Sequence, residues 1–191
     1  CSLAIDPVTP STIYVGFSSQ PSGDFNGVLK SKDGGKNWIA SNTNLTNLDI
    51  SALVIDPKTP NIFYAGTQND GVFKSTNSGG SWSKINTGLG DHSIRSLVID
   101  PLTTTTLYAG TNDLGVYKST DSGENWIAVN TGLIGAYKII LIIDPVTPTT
   151  IYAGTSRGML KTTNGAGSWT EINAGLTTDL VESVAIDPKN P

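Results

Sequence analysis

Cysteine occurs once, at Cys1, so no disulfide forms within the chain and no cysteine cluster holds a metal. Charge is scarce as well: Asp, Glu, Lys and Arg make up 15% of the residues, against ~25% in ordinary soluble domains. Ser, Thr, Asn and Gly fill the gap, which gives a neutral, hydrogen-bonding surface of the kind found on secreted β-proteins and suggests an extracytoplasmic location. Clusters of Lys or Arg are missing and the net charge is −4, so nothing neutralises a phosphate backbone and nucleic acid is not an expected partner. The longest apolar run, Ile139 to Ile143, is far shorter than the ~20 residues a membrane helix needs. No leader pattern opens the chain, and Cys1-Ser2 is followed at once by a strand-like segment rather than by the flexible tether of a lipid-anchored start. No cofactor is implied.

What is present is a repeat. The tripeptide Ile-Asp-Pro recurs with its Asp at 6, 56, 100, 144 and 187, and tryptophan recurs at 38, 82, 126 and 169. The longer first spacing comes from an insertion between Gly16 and Gly27, where the second unit has only Gly66 to Gly71. Within each unit apolar residues alternate with polar ones and turn residues interrupt them, which predicts short strands rather than helices. In the second unit the strands are expected near 51–55, 62–67, 71–75 and 81–86, separated by Pro57, Pro60, Asn69, Asp70 and the 77–80 stretch. Four antiparallel strands in ~44 residues is the size of a propeller blade. The expected fold is therefore all-β, a β-propeller of four-stranded antiparallel blades over 1–49, 50–92, 93–136 and 137–179. Residues 180–191 begin a fifth unit, and Val181 to Asp187 read as its first strand.

The tryptophans close a motif, S-x-D-x-G-x-x-W. It reads as Ser31, Asp33, Gly35 and Trp38, then as Ser75, Asn77, Gly79 and Trp82, as Ser119, Asp121, Gly123 and Trp126, and as Thr162, Asn164, Ala166 and Trp169. An Asp or Asn oxygen accepts backbone N–H groups further along the turn, a Ser or Thr hydroxyl closes the other side, and Gly permits positive φ. The indole is expected to fold back against its blade and lock the outer hairpin. A catalytic acid or calcium ligand would lose its charge where Asn replaces Asp, whereas a turn acceptor loses nothing, so these residues are expected to be structural. Ala166 breaks the Gly position, and Gly165 or Gly167 is expected to supply the left-handed residue there.

This motif resembles the Asp-box, or bacterial neuraminidase repeat. The surrounding pattern IDPxTPxxIYAGTxxxGVxKSTxSGxxWxxxNxGL is similar to the version in xyloglucanase-type glycoside hydrolases, sortilin-type receptors and photosystem II assembly factors. The resemblance implies the propeller fold and places the Asp-box between third and fourth strands, away from any active site. It leaves function open, because those families include enzymes, receptors and assembly factors. A sialidase site would require three arginines, and the chain has only Arg95 and Arg157. A xyloglucanase site needs two carboxylates across a cleft, but those enzymes set it between two complete seven-bladed propellers.

The Asp-Pro positions, Asp6, Asp56, Asp100 and Asp144, stand either as a carboxylate ring at one channel mouth or as caps of the turn before Pro, and their recurrence in every unit favours the turn. By the same logic Tyr14, Tyr64, Tyr108 and Tyr152 belong to blade packing. Residues that differ between units gather on the face formed by the second-to-third-strand loops and the interblade links. There we expect a carbohydrate or protein ligand to meet Phe17, Asp24, Phe25, Asn69, Asp70, Asp91, His92, Asp113, Tyr137, Arg157 and Asp179, since rings supply stacking and polar groups fix orientation. Gln20, Gln68, Arg95, Asn112 and Ser156 lie on the same face. His92 pairs with no Ser or Cys nucleophile by spacing. Two alternatives stand beside recognition: a piece of a xyloglucanase-type hydrolase, and a structural arc whose open blade ends assemble into a homo-oligomer.

Overall fold

The computed structural model describes residues 2–18, 27–189 and 191. Four antiparallel sheets follow one another along it, each made of four consecutive strands. The first sheet holds β1 (Ser2–Ile5), β2 (Ile13–Phe17), β3 (Gly27–Ser31) and β4 (Ile39–Ala40). The second holds β5 (Ile50–Ile55), β6 (Phe63–Thr67), β7 (Val72–Ser75) and β8 (Ser83–Lys84). The third holds β9 (Ile94–Ile99), β10 (Leu107–Thr111), β11 (Val116–Ser119) and β12 (Ile127–Ala128). The fourth holds β13 (Ile140–Ile143), β14 (Ile151–Thr155), β15 (Gly158–Thr162) and β16 (Thr170–Glu171). The first strands lie side by side, β1 next to β5, β5 next to β9 and β9 next to β13, so the sheets fan out as the blades of a β-propeller.

The turns explain why each unit folds alike. Asp6 Oδ1 accepts the N–H groups of Val8 and Thr9 at 2.9 and 3.0 Å, and Asp56, Asp100 and Asp144 repeat this cap. The hydrophobic core is divided into three layers, each between consecutive sheets. One side of a sheet, typified by Tyr64 and Val72, packs toward the following sheet; the other, typified by Phe63, Ala65 and Phe73, packs toward the preceding one. Close approach depends on the glycine two places after each repeated Tyr. A Cβ on Gly16 would lie 2.5 Å from Ile50 Cγ2, and one on Gly66 would lie 2.5 Å from Ile94 Cγ2, so only glycine lets the next first strand seat. Across each sheet a lysine covers the repeated tyrosine, Lys30 over Tyr14 at 5.0 Å and Lys161 over Tyr152 at 5.0 Å.

Three expectations need correction. The indoles do not close their own blades: Trp82 Nε1 donates to Ser41 O, Trp126 to Ile85 O and Trp169 to Val129 O, at 2.8 to 2.9 Å, so each ties its sheet to the preceding one. Among the described residues no sheet precedes Trp38; it donates to Gly35 O at 3.0 Å and is 38% exposed. The outer strand is also shorter than the expected 81–86: it spans Ser83–Lys84, with Trp82 N turned to Thr43 O of the first unit and Ile85 N still donating to Val72 O at 3.0 Å. Finally, residues 181–187 form no ladder. They dock beside the fourth sheet, with Val181 N donating to Thr155 O at 2.9 Å and with Val181 and Val184 covering Gly154 as Ile50 covers Gly16. A first strand pairs with the second strand of its own unit, and the described chain contains no second strand of a fifth unit.

Candidate functional site

The two rims of the arc differ in how their loops are built. On one rim, Ser31 Oγ donates to Asp33 Oδ1 at 2.8 Å and accepts the Gly35 N–H at 2.9 Å, while Asp33 Oδ1 accepts Asn37 N at 2.9 Å. The residue four places on completes the turn in a way the motif does not announce. Asp33 and Asp121 accept from the amides of Asn37 and Asn125 at 2.7 and 2.8 Å, whereas Asn77 and Asn164 donate to the hydroxyls of Ser81 and Ser168 at 3.0 and 3.1 Å. Acceptor meets donor and donor meets acceptor in all four hairpins. The Asn37 amide, its backbone N–H and Ser31 together hold the Asp33 carboxyl down to about 2, and Asn125 does the same for Asp121.

The fourth hairpin departs from expectation. Gly165 is left-handed at φ 64°, but Ala166 itself is left-handed too, at φ 69°, and Gly167 is not. Its methyl is tolerated because the preceding sheet offers Val129 there, one carbon shorter than the Ile85 whose Cδ1 fills the equivalent space beside Gly123.

The opposite rim carries the loops that differ between units. Each is anchored alike: Asn86 Oδ1 accepts Val72 N at 2.7 Å and its amide donates to Asp70 O at 3.0 Å, with Asn42, Asn130 and Asn173 taking the same 2.7 Å bond in the other sheets. The sequence signal for this anchor was the Asn recurring four residues after every Trp. On these anchors three separate features sit.

Between the second and third sheets, Lys84 bridges Asp70 and Asp91 at 2.5 and 2.6 Å, Asn86 donates to Asp91 at 3.0 Å, and Thr46 donates to Asp70 at 2.6 Å. Lys84 and Asn86 keep the Asp91 carboxyl below its ordinary value, and Asp70 and Asp91 raise the Lys84 ammonium. A carboxyl held ionised in this way accepts hydrogen bonds and does not supply a proton near neutrality. Asn69 is tied to Ser93, whose hydroxyl donates to it at 2.7 Å, and the His92 ring leans on Tyr117 with centroids 6.4 Å apart.

Between the third and fourth sheets, a hollow of about 260 Å³ is lined by Asp113, Leu114, Asn130, Leu133, Ala136 and Tyr137. Tyr137 is half-exposed, at 51%, and its backbone is held by Ser156, which donates N to Tyr137 O at 3.0 Å. Arg157 reaches the same link, with Nη1 donating to Ile134 O at 3.5 Å. Asp113, Tyr137 and Arg157 are therefore brought to one place.

At the inner end of the blades a second hollow of about 270 Å³ is lined by Ser18, Ser51, Gln68, Arg95 and Ile140. Ser51 and Arg95 sit at β-bulges, where β5 skips from Ile50 to Ala52 and β9 from Ile94 to Ser96, the device that re-aims a side chain out of the ladder. Phe17 ends β2 next to Ser18, half-buried and opposite Gly27. Asp179 contributes through its backbone, accepting the Gly158 N–H. Asp24, Phe25 and Gln20 lie outside the described residues. Among the described residues no group of three or more His, Cys, Asp and Glu is placed to hold a metal, and no helix is long and apolar enough to cross a membrane.

No family model and no curated protein matches the sequence. Solved structures do. A GH74 enzyme from Niastella koreensis superposes with a TM-score of 0.77 at 24% identity over 99% of this chain and 32% of its own. The GH74 xyloglucanase from Xanthomonas campestris gives 0.70 at 18% over 93% and 30%. YCF48 from Cyanidioschyzon merolae gives 0.59 at 20% over 88% and 54%. At these identities the likeness establishes the β-propeller fold, and the chain spans between 23% and 32% of the GH74 chains it matches.

Proposed function

We propose that this chain is a non-catalytic recognition module of the Asp-box propeller type, which binds a carbohydrate or a protein segment on the rim carrying Tyr137. The observation that supports this reading is the hollow that Tyr137 and Asp113 line together, an exposed ring beside a carboxylate, with Arg157 held against the adjoining link at Ile134. A ring of this kind stacks on a sugar face or an apolar side chain, and the flanking groups orient it. Among structural neighbours, YCF48 has been solved bound to D1 peptide, and the extracellular domain of a one-component system from Bacteroides thetaiotaomicron shares the fold. The first agrees with a binding role and the second with an extracytoplasmic location.

A second reading, part of a xyloglucanase-type hydrolase, draws support from the GH74 likeness. It needs one carboxyl that carries a proton and one that does not. The Asp70 and Asp91 pair is joined through a single lysine, an arrangement suited to holding both loops rather than to separating two acidities.

A panel of β-glucan oligosaccharides and extended peptides, read by calorimetry, separates the readings. Recognition expects binding that falls at least tenfold in Tyr137→Ala and is unchanged in Leu102→Ala, on the opposite rim. Release of reducing sugar that is abolished by Asp70→Asn or Asp91→Asn would overturn it in favour of hydrolysis, and binding indifferent to Tyr137 would remove the site.

A further inference from the structure

Consecutive sheets join three times along the hairpin rim, and the three junctions are not alike. At the first, between the first and second sheets, a hollow of about 260 Å³ is lined by Lys30, Lys32, Ala40, Ser41, Asn77 and Gly80 among others. Both of its walls are sheets of this chain, and it lies on the rim opposite Tyr137. At the second junction the space beside the left-handed Gly123 is filled by Ile85, whose Cδ1 lies 2.3 Å from where a Cβ on that glycine would sit. At the third, Val129 and the buried methyl of Ala166 pack there. Ser41 is the counterpart of Ile85 and Val129, since the backbone N–H groups of the three donate alike to Val28 O, Val72 O and Val116 O. Its short hydroxyl turns to Gly79 O at 2.5 Å and fills far less of the space.

Charge separates the junctions as well. At the second, Lys74 pairs with Glu124 at 3.4 Å, so the chain supplies that cation with its own carboxylate. At the first, Lys30 is the counterpart of Lys74, and Gly80 stands in the place of Glu124 without a side chain to answer it. A second lysine is added, Lys32, at the position that Thr76, Thr120 and Thr163 hold in the other units, and the facing hairpin carries neutral Asn77 where the second junction has Asp121. Lys30 Nζ gives one hydrogen to Ser78 O at 2.7 Å and keeps two. Among the described residues neither Lys30 nor Lys32 forms an ion pair. Asp33, next to Lys32 in the chain, is engaged by Ser31 and Asn37. Burial lowers the Lys30 ammonium from its ordinary value, with the Asp6 charge opposing, a cost that a bound anion offsets.

The third junction shows that neither difference suffices by itself. There Lys118 donates to Gly165 O at 3.1 Å, and Gly167, like Gly80, offers no carboxylate. Thr120 stands where a second lysine is needed, however, and Val129 and Ala166 occupy the room. Open space and two cations coincide only at the first junction.

We propose that the hollow between the first and second sheets binds a carboxylate, that of a free small acid or of a uronic acid in a glycan, at the place which the Glu124 carboxylate takes at the second junction. The Lys74–Glu124 pair is the template, with the acid supplied from outside instead of by the chain. Lys30 and Lys32 donate charge-assisted hydrogen bonds to its oxygens. The site is separate from the rim that carries Tyr137 and does not depend on what binds there.

The chain carries its own reporter. The Trp82 indole N–H donates to Ser41 O at 2.8 Å, on the wall of the hollow, whereas the indoles of Trp126 and Trp169 serve the other two junctions. Proton–nitrogen NMR of the whole chain, at fixed ionic strength so that screening stays constant, is titrated with glutarate, with a galacturonate disaccharide and with the methyl ester of that disaccharide. The expected result is saturable movement of the Trp82 indole signal with both acids and none with the ester, while the Trp126 and Trp169 signals stay still. A disaccharide that binds clearly tighter than glutarate identifies an acidic sugar as the source; equal affinity shows that a free small acid suffices. No saturable movement with either acid, or equal movement with the ester, overturns the proposal. Lys32→Thr installs the residue that the other three units carry and is expected to weaken binding about threefold, as for one exposed ion pair. Gly80→Glu installs the Glu124 carboxylate and is expected to abolish binding by filling the site from within; unchanged affinity in both variants overturns the assignment of the hollow. Unmoved Trp126 and Trp169 signals in each variant show that it is folded.

Discussion

The indole of Trp126 donates its N–H to the carbonyl of Ile85 at 2.8 Å, across 41 positions of sequence and from one sheet to its predecessor. The same bond recurs at Trp82 and Trp169, so tryptophan in this chain is a fastener between units rather than within them.

Replacing a fastener that is in use should differ from replacing one that is idle. Trp126→Ala is expected to cost ~3 to 5 kcal/mol, the usual penalty for emptying a buried aromatic site. Trp38→Ala is expected to cost less than ~1.5 kcal/mol. Urea unfolding of the two variants gives the comparison, and equal losses would show that the burial difference carries no energetic weight.

Glycine at the sheet contacts makes a second contrast. A methyl at Gly66 meets Ile94 in a first strand that is itself locked into a sheet, and Gly66→Ala is expected to destabilise by ~1 to 3 kcal/mol through overpacking. A methyl at Gly154 meets Val181 and Val184 at 2.7 and 2.8 Å, in a segment with no ladder to hold it in place. Gly154→Ala should therefore cost clearly less, as read by thermal unfolding.

Acid should act on alternate hairpins. The carboxyls of Asp33 and Asp121 sit lower in the folded chain, at about 2, than the ordinary 3.8. A depressed folded value means that their contribution is fully present above the unfolded value and is lost as pH falls through the folded one. Stability is expected to decline between about pH 4 and pH 2, and the Asp33→Asn/Asp121→Asn double variant should show a shallower decline over that window. Parallel pH profiles of the unfolding midpoint would count against the assignment.

Removing the lysine that joins two loops should be visible at one carboxyl. In Lys84→Met the Asp91 carboxyl loses the first cause of its depression, and carbon-detected NMR titration is expected to show its value rise. An unmoved value would mean that Asn86 alone holds it.

Much of this architecture was legible because its determinants are local. The Asp-Pro caps span two or three residues and the hairpin bonds span two to four, so strand order and turn positions follow from short words in the sequence. The destination of the indole was not legible, since nothing near Trp82 names Ser41 as its acceptor. Trp38 reads like its three counterparts, and its exposure follows from the described residues placing no sheet before it. Ala166 shows the same limit at smaller scale: its left-handed backbone is accommodated by a side chain on another sheet. On the candidate rim the loops could be assigned to one face, but the grouping of Asp113 with Tyr137 and Arg157, and of Asp70 with Asp91 through Lys84, depends on how adjacent sheets are rotated against each other. Lys84 itself lies 14 residues from Asp70, on an outer strand, and nothing near it in the sequence names that partner.

The reciprocal partners in the hairpins have a further consequence. Because Asp is accompanied by Asn and Asn by Ser four places on, a unit can trade a negative charge for a neutral amide while leaving its turn intact. The electrostatic character of that whole edge is thus adjustable one module at a time, and a designer can make it anionic or neutral by substituting two side chains per repeat without touching the scaffold beneath.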